Sequence, residues 1–312
     1  MTQKAEEVRI QADWPSVLLV NPYARKGQEQ FDLWTQKLKE HLNLQQAFLP
    51  KTLEEFSSII NEAIHSGVRR IIIGGGDGTL SRAAELLAGS SVVMAILPLG
   101  TGNTLAGGLG IAARQEMWLQ TATSGCIRLL DVGEALTKTH RRLFFNSATI
   151  GMSAQLAEML TPEAKKRLGW MAWPMKTWHA SRVTAPFKVQ IDWENHQEYY
   201  ETRQLIIAKG HALAGTFITL PGASSFDGLL HLFSLGKTSW TSSLHVGISL
   251  LLEKNLPPSA HYHALPAMSV YTDPPQKVDL DGDICMQTPV NFRVYRQALR
   301  VVLPCAKTVN DV

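Results

Sequence analysis

The chain has 312 residues, 45% of them hydrophobic and 18% charged, so it can bury a large core and suits about two domains. Its formal net charge of +3 is too small to indicate nucleic-acid binding. The polar N-terminus has no apolar segment of a secretion signal, and no apolar run approaches the ~20 residues of a membrane span, so we expect a cytoplasmic protein.

Strands and helices alternate in the first part of the chain. The apolar run Ser16–Val20 predicts a strand, and the apolar spacing of residues 31–42 predicts a helix with one buried stripe. Thr52 and Glu55 have the spacing of a capping box at the start of a second helix, and Gly67 ends that helix. This order predicts a parallel sheet with helices on both faces, whose ligand crevice lies at the carboxyl ends of the strands.

The third predicted strand, residues 70–73, runs into a turn that combines glycines, one carboxylate and the start of a helix. The turn has the sequence Gly74-Gly75-Gly76-Asp77-Gly78-Thr79-Leu80. Glycines let backbone N–H groups approach an anion closely, and a helix N-terminus attracts negative charge. A plain structural turn is the alternative interpretation. The order of strand, glycines, Asp77 and helix favours a phosphate site, with this carboxylate beside a Mg²⁺ ion or a reacting hydroxyl.

Two further loops follow strands of the same predicted sheet. Asn21-Pro22 turns the chain after the first strand, and two cations, Arg25 and Lys26, come next with Gly27, which suits a phosphate contact. The fourth strand, residues 92–97, ends in Pro98-Leu99-Gly100-Thr101-Gly102-Asn103. Small residues with hydroxyl and amide donors at the carboxyl ends of strands suit a nucleotide phosphate. The loops contain neither the Walker pattern nor GxGxxG, so the P-loop and Rossmann dinucleotide interpretations fail.

In combination and in order, the three loops resemble those of the diacylglycerol kinase catalytic domain, a family that includes bacterial soluble lipid kinases, sphingosine kinases and ceramide kinases. The resemblance implies an α/β Rossmann-like N-terminal domain, which we expect over residues 14–134. It also implies an antiparallel β-sandwich C-terminal domain over residues 135–303, whose final segment could return to the first domain. The implied activity uses ATP and Mg²⁺ to phosphorylate a lipid hydroxyl, such as that of diacylglycerol, in phospholipid metabolism.

The resemblance also implies roles for individual residues. Those expected to contact ATP are Asn21, Lys26, Gly74, Gly75, Gly76, Asp77, Gly78, Thr79, Leu80, Gly100, Thr101, Gly102 and Asn103. Asp281-Gly282-Asp283 occupies the place of the family's Asp-Gly-Glu, so Asp283, Asp281 and Asp77 are the catalytic candidates, and which of them is the base stays open. By the same pattern Asp227 would bind a structural Mg²⁺ with backbone carbonyls near Ser224 and Leu229, and Asp131 is a further candidate ligand.

The sequence departs from the family's pattern in two loops. Ser81 and Arg82 stand where the family has Asn-Glu, and Thr104 stands where it has an Asp that belongs to a network of carboxylates, water and Mg²⁺. Three hypotheses follow: a lipid kinase, a soluble-metabolite kinase of the NAD kinase or phosphofructokinase kind, and a catalytically degenerate protein that binds nucleotide or lipid.

In the second half of the chain the predicted pattern changes to short strands separated by turns, which is typical of an antiparallel sandwich. The predicted strands are residues 142–147, 187–193, 203–208, 231–235, 268–272 and 292–295. Cys126, Cys285 and Cys305 lie far apart and form no CxxC pair, which argues against a disulfide framework and a zinc site.

One stretch offers a membrane contact. Residues 164–182 carry five Lys or Arg and three Trp but no acid, a composition that suits the lipid headgroup region. A helix whose aromatic residues pack on the sandwich is an equally weighted alternative. We therefore expect a lipid substrate met at a membrane surface through this segment, a peripheral association and no nucleic-acid partner, while a homodimer stays open.

Overall fold

The computed structural model describes residues 8–111, 114–151, 185–210, 223–234 and 261–305. In chain order, the elements are β1 (Ser16–Val20), α1 (Gly27–His41), β2 (Leu44–Phe48), α2 (Leu53–His65), β3 (Arg70–Gly75), α3 (Asp77–Leu87), β4 (Val93–Pro98), α4 (Thr104–Gly108), α5 (Gln115–Ser124), β5 (Cys126–Leu136), β6 (Arg141–Phe144), β7 (Ser147–Gly151), β8 (Phe187–Trp193), β9 (His196–Thr202), β10 (Gln204–Ala208), β11 (Leu230–Ser234), β12 (His261–Leu265), β13 (Ala267–Asp273), β14 (Lys277–Leu280), β15 (Asp283–Gln287) and β16 (Val290–Leu303).

The chain divides into two compact units. Unit 1 comprises Met1–Leu130 together with Gln297–Val312, and unit 2 comprises Asp131–Arg296. The chain therefore leaves unit 1 within β5 and returns to it within β16. The boundary expected from the sequence, after residue 134, lies a few residues further along the chain.

Unit 1 is built on a parallel sheet in the order β2-β1-β3-β4, with the end of β16 beside β4. Every residue of β1 and β3 is buried, as expected for strands that helices cover on both faces. Helix α2 begins as its capping box predicts, because the Thr52 hydroxyl accepts the Glu55 N–H at 3.1 Å. The Glu55 carboxylate reaches back one residue further than the pattern implies, to the Lys51 N–H at 2.7 Å.

One strong cation of unit 1 is fully buried. Arg70, at the start of β3, donates from Nε to the Ser16 hydroxyl at 2.9 Å and from a terminal nitrogen to the Ala122 carbonyl at 2.9 Å. Burial lowers the pKa of this guanidinium to about 10, although Asp13 opposes the shift. The side chain thereby ties β3 to β1 and to the end of α5.

Unit 2 is a sandwich of two antiparallel sheets. One contains β9, β8, β13 and the first part of β16, and the other has the order β12-β11-β10-β7-β14-β15. Both sheets contribute to a single core in which Phe187, Ile191 and Phe292 belong to the first sheet and Ile150 and Leu232 to the second. The predicted fold class, a Rossmann-like α/β domain followed by an antiparallel sandwich, is confirmed in this form.

Two expectations were wrong. The strand predicted over residues 142–147 is divided into β6 and β7, because the chain bends at Phe145 and Asn146. Cys126 and Cys305 form a disulfide within unit 1 despite a sequence separation of 179 residues. Distance along the sequence is a poor guide here, since the segment after β16 returns beside the start of β5.

The structure contains no helix, within the ranges it describes, that is both long enough and apolar enough to cross a membrane. The candidate membrane segment, residues 164–182, lies outside the described residues.

Candidate phosphate-binding site

The carboxyl ends of the strands of unit 1 surround a cavity of about 500 Å³. The loops after β1, β2, β3 and β4 all contribute to it, as a parallel sheet of this kind predicts. The lining residues are Asn21, Tyr23, Ala24, Arg25, Pro50, Lys51, Thr52, Leu53, Phe56, Gly76, Asp77, Gly78, Thr79, Arg82, Gly100 and Thr101.

Side chains within the loops hold the loops in place. The Asn21 amide donates to the Thr79 hydroxyl at 2.8 Å and joins the first loop to the second. The Asn103 amide closes the third loop, since its oxygen accepts the Gly100 N–H at 3.0 Å and its nitrogen donates to the Gly100 carbonyl at 3.1 Å. A Cβ at Gly100 would lie 2.4 Å from the Gly76 Cα, so the second and third loops touch only because this residue is glycine.

Asp77 is the first residue of α3 and the one carboxylate in the cavity lining of the described residues. Its Oδ1 accepts the Leu105 N–H from α4 at 3.1 Å, and its Oδ2 faces Gly102, where a Cβ would come within 3.0 Å. Three cations, Arg25, Lys51 and Arg82, line the same cavity. Positive side chains and a helix N-terminus favour an anion.

The donor set also fits Mg²⁺. This ion is usually held by one or two carboxylates together with substrate phosphates and water. Asp77 could supply the carboxylate, because only its Oδ1 is engaged by the α4 backbone.

The structure separates the residues expected to contact ATP into two groups. Those that line the cavity are Asn21, Gly76, Asp77, Gly78, Thr79, Gly100 and Thr101. Those that do not are Lys26, Gly74, Gly75, Leu80, Gly102 and Asn103. In the second group, Leu80 is fully buried, and Lys26 precedes α1 with its backbone N–H donated to the Leu99 carbonyl at 3.3 Å.

Sequence reasoning missed one whole wall of the cavity. Lys51, Leu53 and Phe56 come from α2 and the residues just before it, whereas Arg25 of the first loop was expected to suit a phosphate contact. The signal was present, because α2 begins directly after the carboxyl end of β2 in a sheet whose crevice lies at that edge.

In unit 2, the two acids of the Asp281-Gly282-Asp283 turn have different environments. The Asp281 carboxylate accepts the N–H groups of Phe145, Asn146 and Ser147 at 2.7, 2.8 and 3.0 Å. These bonds fix the bend between β6 and β7, so Asp281 has a structural role, and its expected role as a proton acceptor stays a prediction. The Asp283 side chain is 69% exposed and pairs with Arg142 at 3.4 Å.

The residues expected to bind a structural Mg²⁺ do lie together in unit 2, but they do not fit the ion. The Asp227 carboxylate accepts the N–H groups of Ser224 and Leu229 at 3.0 and 2.9 Å, the Lys209 ammonium at 3.0 Å and His231 Nε2 at 2.8 Å. An ionised carboxylate has about four acceptor positions, and these donors occupy them all. The metal site predicted at Asp227, Ser224, Leu229 and Asp131 is therefore corrected.

Burial tends to raise the pKa of the Asp227 carboxyl, but the hydrogen bonds from His231, the Leu229 N–H and Lys209 outweigh it and lower this pKa below its usual value. The His231 ring has a second partner, since its Nδ1 lies 2.7 Å from the Tyr262 hydroxyl. Donation from Nε2 to the carboxylate and acceptance at Nδ1 describe one neutral tautomer.

Comparison with known proteins gives the family. A model of the diacylglycerol kinase catalytic domain matches residues 15–135. A Pseudomonas aeruginosa protein named "Probable lipid kinase YegS-like" is 33% identical over 263 residues, which cover 79% of this chain and 80% of that protein. A protein of the same name from Chromohalobacter salexigens is 28% identical over 246 residues and covers 75% of each chain.

A solved structure from Bacillus anthracis, named a diacylglycerol kinase, has the same fold. Its TM-score is 0.71 at 19% identity, and the match covers 93% of this chain and 96% of that one. With the sequence relatives and the loop geometry of unit 1, this likeness agrees with the resemblance found in the three loops. The chain belongs to the diacylglycerol kinase catalytic-domain family, among its YegS-like lipid kinases.

Proposed function

We propose that the protein uses ATP and Mg²⁺ to phosphorylate a lipid hydroxyl, with diacylglycerol or a related lipid as the acceptor. The observation that carries the proposal is the cavity of unit 1, where three glycine-containing loops, three cations and one carboxylate converge. This equipment suits phosphoryl transfer, which depends mostly on positioning and charge stabilisation.

In the proposed reaction, the acceptor oxygen forms a bond to the γ-phosphorus while the bond from that phosphorus to the β–γ bridging oxygen breaks. Backbone N–H groups near Gly76, Gly78 and Gly100, together with Arg25 and Lys51, bind the phosphates. Asp77 would hold Mg²⁺, which would supply charge that complements the phosphate oxygens. ADP leaves with the bridging oxygen.

The proton of the acceptor hydroxyl goes to Asp283 in this proposal. Asp283 is exposed, whereas Asp281 already accepts three backbone N–H groups and Asp77 serves the phosphates. A carboxylate that does not hold the backbone can take a proton without loosening the fold.

Transfer of radiolabelled γ-phosphate to lipids in mixed micelles tests the proposal. The panel contains diacylglycerol, phosphatidylglycerol, ceramide and sphingosine, and the variants are Asp77→Ala, Asp283→Asn and Asp32→Ala, an exposed acid on α1 that serves as the control. We expect one labelled lipid with wild type and the control, and strong loss with the other two variants. ATP binding without a labelled lipid would instead support the hypothesis of a degenerate binding protein. That hypothesis is motivated by Thr104 and Arg82, which depart from the family's pattern.

The proposal also implies that the lipid is met at a membrane surface. Flotation with vesicles tests this: we expect binding that increases with the fraction of anionic lipid. Equal recovery with and without vesicles would contradict peripheral association.

A further inference from the structure

Unit 2 contains a fully buried lysine at the centre of the group of residues expected to bind a metal ion. Lys209 follows β10, and its side chain is 0% exposed. Its ammonium lies 2.7 Å from the Ser224 carbonyl oxygen, 3.0 Å from Asp227 Oδ1 and 3.8 Å from Asp131 Oδ2. A buried charge needs such partners, because an unpaired ammonium away from water is very costly.

The oxygens around the ammonium are of the kinds that hold a hard divalent ion, namely carboxylate and backbone carbonyl. Two of these oxygens, the Ser224 carbonyl and Asp227 Oδ1, belong to the segment Ser224–Leu229. The Gly228 N–H donates to Asp131 at 2.8 Å, and the N–H groups of Ser224 and Leu229 donate to Asp227. Backbone N–H groups of the segment thus hold two carboxylates near the ammonium, its own Asp227 and Asp131 of β5.

We infer that Lys209 is the resident cation of this site and replaces a divalent metal ion in organising residues 223–229. The ammonium is tethered to β10, so the segment keeps its conformation whether or not Mg²⁺ is present. The inference concerns the architecture of unit 2 and stands or falls independently of the proposed kinase reaction.

The test compares wild type with Lys209→Met, which keeps most of the side-chain volume but removes the charge. Lys188→Met, at an exposed lysine of β8 in the same unit, is the matched control. Thermal unfolding is followed without nucleotide, in EDTA and in millimolar Mg²⁺ or Ca²⁺. Every protein in this comparison, including the reference that keeps Lys209, carries Asp77→Asn, so that the cavity of unit 1 does not contribute a metal response.

We expect the reference protein, which keeps Lys209, to have the same melting temperature in EDTA as in either divalent ion. The same should hold for the Lys188→Met control. Lys209→Met should melt several degrees lower in EDTA and recover part of the loss in Ca²⁺ or Mg²⁺, because the carboxylates of Asp227 and Asp131 then lack a cation. A chelator-sensitive melting temperature in the protein with Lys209, restored by Mg²⁺, would overturn the inference.

A second measurement keeps the inference testable if Lys209→Met does not fold. Mn²⁺, used as a paramagnetic probe for Mg²⁺, is titrated into the Asp77→Asn protein and bound ion is counted by electron paramagnetic resonance. We expect no tight Mn²⁺ site while Lys209 is present. One stoichiometric site that disappears with Asp227→Asn would show that a metal ion, and not the lysine, is the resident cation.

Discussion

The cavity of unit 1 and the Lys209 cluster of unit 2 (Lys209, Ser224, Asp227 and Asp131) are built around the same dipeptide, Asp-Gly. Asp77 was expected beside a Mg²⁺ ion or a reacting hydroxyl, and Asp227 as a ligand of a structural Mg²⁺, yet the surroundings of the two carboxylates differ. One oxygen of Asp77 is engaged by a single backbone N–H, whereas the two oxygens of Asp227 accept four donors. The number of donors already committed to a carboxylate, and not the motif that contains it, decides whether a metal ion can bind there.

Removing the charge of Asp227 should have the largest effect on stability. Asp227→Asn leaves the buried ammonium of Lys209 with Asp131 as its nearest charged partner, at 3.8 Å. We expect the free energy of unfolding to fall by about 3 kcal/mol, as when one partner of a buried pair is lost. Urea denaturation at pH 7 measures it. A loss below about 1 kcal/mol would mean that the cluster is more hydrated than its burial suggests.

The same substitution at the other aspartate should affect activity instead. Asp77→Asn keeps an oxygen for the Leu105 N–H but removes the charge that would hold Mg²⁺. We expect kcat/KM for phosphate transfer to fall about 100-fold, or roughly 2.7 kcal/mol, with the melting temperature nearly unchanged. Asp227→Asn, assayed where it is folded, is the control. Equal losses in the two variants would remove the contrast between the sites.

The close approach of the second and third loops in unit 1 can be tested by a stability measurement, without an activity assay. Gly100→Ala places a Cβ against the Gly76 backbone and should lower the free energy of unfolding of unit 1 by about 1–3 kcal/mol. Gly78→Ala is the control, since a Cβ there meets no atom within 4 Å. Chemical denaturation of both variants gives the comparison, and similar stabilities would show that the third loop can move away from Gly76.

Acid should weaken unit 2 through Asp227. The folded-state pKa of this carboxyl lies below its ordinary value of 3.8, so its contribution to stability is present above that pH and is lost as pH falls through the folded value. Urea midpoints between pH 6 and pH 3 should therefore fall more steeply for wild type than for Asp227→Asn. Parallel curves would assign the acid sensitivity to other groups.

Local patterns predicted much of unit 1. The hydroxyl of Thr52 caps α2 as its spacing with Glu55 indicates, and the three loops follow their strands as expected. Each of these features is encoded within a few residues, so the sequence contains its cause. The family and the fold class, which the loop motifs implied, are confirmed.

Features that join distant parts of the chain could not be predicted in this way. Arg70 donates hydrogen bonds to Ser16 and Ala122, and Lys209 donates to residues near Ser224 that follow later in the chain. Both cations would be assigned to the surface on residue type alone, because lysine and arginine are rarely buried without partners. The partners become visible only when the chain is folded.

The return of the chain to unit 1 has a consequence for biosynthesis. Val301 of β16 pairs with Met94 of β4, and roughly 200 residues separate them in sequence. During translation, the whole of unit 2 is synthesised before β16, so this edge of β4 has no β16 partner until then. An unpaired strand edge is prone to intermolecular pairing. Nascent chains that stop before β16 should therefore depend on chaperones, and premature termination there should yield aggregates and not a smaller folded protein.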